Sequence, residues 1–571
     1  MLSIDIESMF ENCDGFNLHH KFGILSIFLI AIQVGAINFT SVFIFDIPDH
    51  RCYIPAIDEE IERNISRSIL SRYIPLEGPN GNEFSKCKRY VNVSNHNIAP
   101  NTTGKNANEY CKDGWVYNAK DGVKTGTEEF DLVCNDDWQR ILLTLGFSVG
   151  PMFSGLIAGI IVDRFGRKKP TIIYGMIISS LMIAYSFAPN FASCVIWFTL
   201  LGAINAAAFC TAFLYVQELV KTDKRATISC LIYSFESFSY MLVPAIAYLC
   251  QDWRWILRVV GLIGILYIPS SWIIFESPRW LASKGRIDEA TKVMKFIMRK
   301  NTTNQKLLRQ NIFLISSPAK SSTTKSKDSK ETHFIILLRN RVLLKRCFII
   351  SWIITATLTS YYGFGFNTSN LEGNKYWNCF ISAAAELPGW IFAPYFLQKF
   401  GRRSTLSAAY AISCLCSILC PVFSNYNAVS IAFAMLGKVF ISSTMAMIFL
   451  YPAELFPTKL RNTALGFSAT LSRFGGLMAP FIAFTGESSK WVPFLILSGI
   501  ALVASIVTLL LPETKDLPLP ETLEESLALE KYRLQVPSCK KAKLEKNTRK
   551  TATSTFTSDA DENDKIKNCI L

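Results

Sequence analysis

The sequence predicts an all-α membrane protein with twelve transmembrane helices in two six-helix halves and a large extracellular loop between helices 1 and 2. Three observations predict it. Twelve apolar stretches are each long enough to cross about 30 Å of hydrocarbon as helix. They fall in two groups: near 22–44, 141–162, 171–188, 194–217, 228–250 and 255–275, then near 347–366, 376–397, 404–424, 428–451, 462–484 and 490–511. Landmarks of the first group also return in the second, in one order and one register. Asp163-Arg164-Phe165-Gly166-Arg167-Lys168 returns as Lys399-Phe400-Gly401-Arg402-Arg403, with 235 residues between Gly166 and Gly401. Gln217-Glu218-Leu219 with Arg225 returns as Ala453-Glu454-Leu455 with Arg461, and Glu276-Ser277-Pro278 has its echo in Pro512-Glu513-Thr514.

In chain order, residues 1–21 form an N-terminal segment and 22–44 the first span. Residues 45–139 form a loop, 140–275 spans two to six, 276–346 a loop joining the halves, 347–511 spans seven to twelve, and 512–571 a polar tail. The three polar segments explain a mean hydropathy of only +0.25. The first apolar stretch has no small-residue cleavage site and reads as a span rather than a signal peptide. Orientation follows from Lys and Arg. With the N-terminus cytoplasmic, the short inner loops carry Arg164, Arg167, Lys168, Lys169, Lys221, Lys224, Arg225, Lys399, Arg402, Arg403, Lys459 and Arg461, against Arg254, Lys375 and Lys490 outside. Both termini are then cytoplasmic. The net charge of +14 is an orientation signal and argues against nucleic acid as a partner.

The loop at 45–139 carries Cys52, Cys87, Cys111 and Cys134, an even set in an oxidising space, which implies two disulfides and leaves three pairings open. Glycan acceptor sequons at Asn64, Asn92 and Asn101 agree with that side of the membrane. The loop reads as a folded cap that aids export and assembly, with direct substrate contact as the alternative. The joining segment holds an amphipathic stretch at 289–300 and a Ser/Thr/Lys run at 316–332, the composition of interfacial helices and a flexible linker. The tail is polar and reads as largely disordered; its end, Ile570-Leu571, could dock on a scaffold protein with a peptide-binding domain.

Two duplicated halves place a transport site between them. No Ser/His/Asp order and no metal-ligand spacing appears, so the chain reads as no enzyme, with no cofactor or metal, apart from Na⁺ or H⁺ as coupling ions.

The chain resembles the major facilitator superfamily. Gly159-x3-Asp163-Arg164-x-Gly166-Arg167-Lys168 is similar to its motif between spans two and three. Within it, the chain resembles solute carrier family 22, the organic cation, carnitine and organic anion transporters. The matching pieces include Pro48-Asp49-His50-Arg51-Cys52, Glu129-Phe130-Asp131-Leu132-Val133-Cys134, Asp252-Trp253-Arg254, Glu276-Ser277-Pro278-Arg279-Trp280-Leu281, Asn367-Thr368-Ser369-Asn370-Leu371 and Ala453-Glu454-Leu455-Phe456-Pro457-Thr458. Relatives often have six loop cysteines where this chain has four, so their disulfide pattern is not carried over.

The resemblance implies a plasma-membrane carrier of small organic ions working by alternating access, with spans 1, 2, 4, 5, 7, 8, 10 and 11 lining the cavity. Asp163, Arg164, Gly166, Arg167, Glu218 and Arg225, with Gly401, Arg402, Glu454 and Arg461, read as gate elements. The second copy has Gln398 or Lys399 where an acid is expected, so its latch reads as weaker or differently built.

A charge at mid-bilayer costs about 2.5–3.5 kcal/mol, so each such residue is a functional candidate. Four qualify: Glu236, Glu386, Lys438 and Arg473, all in the lining spans. Arg473 suits a substrate carboxylate through two parallel hydrogen bonds, or a pair with Glu386 or Glu236. Glu386 suits a cationic head group or a proton, or a partner for Arg473 or Lys438; Lys438 reads as structural or as setting the cavity field. Tyr361 and Tyr362 offer rings to a quaternary ammonium, Phe209 and Phe213 add aromatic lining, and Asn38 suits Na⁺, a polar substrate atom or a hydrogen bond between helices. A basic residue at 473 beside acidic Glu386 favours a zwitterion such as carnitine. An organic anion exchanger, or a non-transporting sensor on the same fold, stands as the alternative.

Overall fold

The computed structural model describes residues 18–529 except 59–66, 72, 78–82, 91–107, 118–122, 222–223, 298–335, 338, 372, 449, 516, 518–519 and 521–522. The sequons at Asn64, Asn92 and Asn101, the run at 316–332 and the C-terminal tip lie outside the described residues.

Helices occupy all twelve expected positions. In the first half they are α1 (Leu18–Ile44), α2 (Asp137–Phe165), α3 (Lys168–Tyr185), α4 (Phe191–Glu218), α5 (Arg225–Cys250) and α6, which runs from Trp253–Leu262 through a tight turn at Ile263–Leu266 into Tyr267–Ile273. The second half has α7 (Arg341–Phe366), α8 (Lys375–Phe400), α9 (Arg402–Val422), α10 (Asn427–Met447, then a short helix Leu450–Leu455), α11 (Thr458–Ser488) and α12 (Val492–Thr508). Eight of the described helices are long and apolar enough to span a bilayer by themselves, and α2 joins them if its 46° bend is read as one broken span. The bend follows Pro151, which removes a backbone donor inside the helix. Helix α12 is short at 17 residues, and α11 is rich in Ser, Thr and Gly because its polar side faces the protein interior.

Several helices overrun their apolar stretches. Thus α2 starts at Asp137 rather than 140 and α7 at Arg341 rather than 347. The starts of α7, α4 and α6 are set by polar caps that hydropathy does not see. Asn340 accepts from the Val342 amide at 3.1 Å, Asn190 from that of Ser193 at 2.9 Å, and Asp252 from that of Arg254 at 2.8 Å. The tail also departs from its expected disorder at one point. A helix at Leu523–Ala528 packs back on the bundle, where buried Arg346 donates to the Ser526 carbonyl at 2.8 Å and Ser526 Oγ donates to the Leu455 carbonyl at 2.8 Å.

The bundle is apolar outward and polar inward. Trp272, Ile160 and Val422 face out, while Glu386, Lys438, Gln33, Thr357 and Asn205 are buried. Helices α3, α6, α9 and α12 pack within their own halves, and contacts between halves run through α5–α8, α2–α11, α1–α7 and α5–α10.

The segment between α1 and α2 folds as three antiparallel strand pairs: β1 (His50–Cys52) with β6 (Trp115–Tyr117), β2 (Leu76–Glu77) with β3 (Glu83–Phe84), and β4 (Lys88–Tyr90) with β5 (Asn108–Tyr110). Cys52 bonds to Cys111 and Cys87 to Cys134, one of the three pairings left open by the sequence. The cap docks on the first half. Glu129 accepts from Trp253 Nε1 at 2.8 Å and pairs with Arg254, whose hydrogen bonds hold the Glu129 carboxyl below the usual carboxylate range. With strands only two or three residues long, the cap depends on its cross-links. Replacing Cys52 or Cys87 by Ser is expected to cost about 2–4 kcal/mol of cap stability and to reduce delivery to the cell surface, measured by surface biotinylation.

Candidate functional site

At the end of the bundle where α2 turns into α3, backbone geometry dictates the chemistry. Gly166 (φ 98°) and Gly401 (φ 92°) both adopt the left-handed region that a Cβ disfavours. Each turn presents the next helix's first amides to a carboxylate. Glu276 accepts from the amides of Arg167 at 2.7 Å and Lys168 at 3.2 Å; Glu513 accepts from those of Arg402 at 2.9 Å and Arg403 at 3.1 Å. A Cβ on either glycine would collide with that carboxylate. The arginine side chains then reach the neighbouring repeat landmark. Arg167 holds Glu218 through Nε (3.0 Å) and Nη2 (2.8 Å), and Arg402 holds Glu454 through Nε and Nη2 at 3.3 and 3.1 Å.

The two latches are thus built alike, which corrects the expectation of a weak second copy. Asp163 is not the central acid: it touches Arg167 at 3.1 Å, but its side chain is 75% exposed. Arg164 lies over the Phe165 ring rather than in the latch. Glu218 and Glu454 pair with Arg167 and Arg402. Arg225 receives a bond from Gln217 on its carbonyl, and Arg461 Nη2 reaches the Phe456 carbonyl at 3.5 Å. Glu276 and Glu513 were visible in the sequence as a repeat, and only the turn geometry gives them a task. Glu276→Gln and Glu513→Gln are expected to reduce transport to a similar degree, within about threefold of each other (0.7 kcal/mol), in uptake normalised to surface protein.

Deeper, the four mid-span charges sort themselves. Lys438 on α10 faces Glu386 on α8 at 3.0 Å, with 1% and 0% of their side chains exposed. That contact lies outside hydrogen-bond geometry, and Glu386 Oε1 has no hydrogen bond among the described residues. The other oxygen accepts from Ser237 Oγ at 2.5 Å and the Tyr361 hydroxyl at 3.1 Å, while Lys438 donates to Ser382 Oγ at 2.8 Å. The ammonium sits 4.7 Å from the Tyr240 ring centre, 5.2 Å from Phe39 and 5.8 Å from Tyr361. In this state Tyr361 therefore cradles the protein's own cation. Trp390 donates to Ser237 at 2.8 Å and stacks on Tyr233, whose ring also meets Phe209 and Phe213 at 5.4 and 6.1 Å. One aromatic and hydroxyl chain so links α4, α5 and α8.

In the first half, Asn38 on α1 donates to Glu236 on α5 at 2.9 Å and accepts from Asn205 on α4 at 2.8 Å. In the second, half-buried Arg473 on α11 makes no ion pair among the described residues, so neither expected carboxylate partner, Glu386 or Glu236, holds it. Tyr362 stands on α7 between these elements: its ring meets Phe39, next to Asn38, at 6.3 Å, and Thr359 Oγ on the same helix donates to the Gly475 carbonyl on α11 at 3.0 Å.

Above this layer, Phe39, Tyr362 and Phe366 meet at 6.1–6.3 Å and form an aromatic plug. Beyond it opens a cavity of about 530 Å³ between the cap and both halves, lined by Asp46, His50, Arg140, Phe366, Pro480 and Phe484 among others. At that end the halves are tied by the Lys375–Asp46 ion pair and by Tyr376, which stacks on Phe43 at 5.5 Å and meets Tyr248 edge-on at 5.6 Å. The sequence reading missed Tyr240, Ser237, Ser382 and Trp390 as neighbours of the central charges. Ser237 alone carried a signal, standing beside Glu236.

A duplicated bundle with latches at one end, a vestibule at the other and a dry charged layer between them is a membrane transporter. A family model described as "Sugar (and other) transporter" matches residues 89–525. Solute carrier family 22 member 21 of Mus musculus is 31% identical, covering 90% of this chain and 93% of its own. Organic cation/carnitine transporter 2 of Rattus norvegicus is 31% identical, with 88% and 91% covered. The xylose transporter XylE from E. coli shares the fold at a TM-score of 0.53 and 14% identity, over 86% of this chain and 98% of its own. The chain belongs to solute carrier family 22, the organic cation and carnitine transporters of the major facilitator superfamily.

Proposed function

We propose that the protein moves small organic ions across the plasma membrane by alternating access, with both termini cytoplasmic, and that it prefers zwitterions such as carnitine to simple cations. One observation carries this reading. Lys438 neutralises Glu386, the acid that would attract a cation, and leaves the Arg473 guanidinium without an ion-pair partner among the described residues. A half-buried guanidinium in a low-dielectric layer is a carboxylate site in search of its ligand. Relatives named for organic cation and carnitine transport support the substrate class.

In this mechanism substrate enters through the vestibule and passes the Phe39–Tyr362–Phe366 plug. The Lys375–Asp46 tie and the Arg167–Glu218 and Arg402–Glu454 latches then exchange as the halves rock. Na⁺ or H⁺ supplies the coupling. The organic anion exchanger remains the second reading, because Lys438 and Arg473 together give the second half two cations. Uptake of labelled carnitine, tetraethylammonium and a dicarboxylate, each with and without Na⁺, tests the proposal. Carnitine is expected to lead. Uptake of tetraethylammonium without carnitine or dicarboxylate would overturn the reading, and dicarboxylate alone would favour the anion exchanger.

A further inference from the structure

Charge accounting across the membrane layer leaves two residues over. Glu386 and Lys438 compensate each other. Arg473 on α11 of the second half and Glu236 on α5 of the first are opposite in sign, and neither is in an ion pair among the described residues. Their helices meet a common neighbour, α7: Asn38, bonded to Glu236, precedes Phe39, whose ring meets Tyr362 at 6.3 Å, and Thr359 Oγ donates to the Gly475 carbonyl on α11 at 3.0 Å.

Glu236 is a built position. It is 7% exposed, and Asn38 Nδ2 donates to its Oε1 at 2.9 Å. Asn205 Nδ2 donates to Asn38 Oδ1 at 2.8 Å, which fixes the Asn38 amide with its NH₂ toward the carboxylate. Gly35 makes the approach possible, because a Cβ there would overlap the Glu236 backbone carbonyl. Asn205 Oδ1 is buried with no hydrogen bond among the described residues, leaving an acceptor beside the same cluster. Amide donors steady a carboxylate and bring no countercharge, so at this depth an ionised Glu236 costs free energy until a cation comes to it.

We infer that Glu236, oriented by Asn38 and Asn205, is the anchor for the positive pole of the substrate, opposite Arg473 as the anchor for its carboxylate. The inference rests on the zwitterion reading above and adds a residue to it. Each anchor belongs to a different half, so a substrate with both poles bridges the halves and neutralises the layer. A substrate with one pole engages one half alone and leaves the other charge uncovered. Selectivity for zwitterions then follows from closure of the cavity as well as from binding.

The test uses the full-length carrier in cells, with uptake normalised to surface protein, and Glu236→Gln, Glu236→Asp and Asn205→Ala as variants. Probes are labelled carnitine, a short hydroxy acid lacking the ammonium, and tetraethylammonium, with and without Na⁺ and at pH 6 and 8. Glu236→Gln is expected to lower carnitine uptake at least tenfold, mainly through KM, while hydroxy-acid uptake holds or rises; Glu236→Asp restores part of the carnitine uptake. Equal loss of all probes would overturn the inference in favour of a structural role. So would an unchanged carnitine KM with lost Na⁺ or pH dependence, which would make Glu236 a coupling-ion residue. If no Glu236 variant reaches the surface, thermal stabilisation of purified wild-type protein decides. Carnitine is expected to stabilise it well beyond choline or the hydroxy acid, and equal stabilisation by choline or by the hydroxy acid would overturn the bridge. Wild-type protein that transports no zwitterion would instead sink the functional reading itself.

Discussion

Arg473→Gln is expected to lower uptake of a zwitterion about 10- to 100-fold, the worth of a charge-assisted, two-point hydrogen bond of about 1.5–3 kcal/mol. Uptake of a simple organic cation is expected to hold or rise. The asymmetry follows from the charge layer. Arg473 repels a cation and attracts a carboxylate, while the Lys438–Glu386 pair is already closed and takes no side. Gln keeps the length and the polarity, so it removes the charge with little change in packing. Arg473→Lys separates geometry from charge. A compact ammonium lacks the planar fork, so it is expected to recover only part of the lost uptake. Arg473 and Glu236 hold the two poles of one substrate in this reading, so effects at the two positions will not add.

Lys438→Gln is expected to destabilise the folded protein by about 3–5 kcal/mol, because it strands the Glu386 carboxylate in the dry layer. Glu386→Gln strands the ammonium, though the rings of Tyr240, Phe39 and Tyr361 soften that loss. The double variant Glu386→Gln/Lys438→Gln removes both charges and is expected to recover most of the stability. Thermal unfolding of detergent-purified protein measures this, with transport assayed separately. Recovery of stability without recovery of transport would mean that the pair tunes the cavity field. If neither single variant alters unfolding, the pair contributes nothing to the fold.

Much of the architecture was legible because membrane folding writes it into the sequence. A span must be apolar for its full length, and the duplicated Gly166 and Gly401 turns recur because the same backbone bend is needed twice. The polar caps that set helix starts, such as Asn340 and Asp252, were not legible from hydropathy. Nor was the partner of each central charge. Glu386 and Lys438 are 52 residues apart on neighbouring helices, and whether Lys438 or Arg473 reaches Glu386 depends on helix rotation and depth. The second latch misled for a related reason. Its acids are Glu454 and Glu513, which come from other segments, so the missing acid near Lys399 weakened only the local motif and left the contact intact.

The central claim is that the Arg473 guanidinium, which has no ion-pair partner among the described residues, selects a carboxylate-bearing cargo. The most direct measurement is a side-by-side uptake of labelled carnitine and carnitine methyl ester by the wild-type protein. The two share the quaternary ammonium and differ in the negative pole. The ester is expected to be carried at least tenfold less efficiently, in kcat/KM, than carnitine. An ester carried as well as carnitine, or better, would contradict the assignment of Arg473 and make the protein a carrier of simple cations.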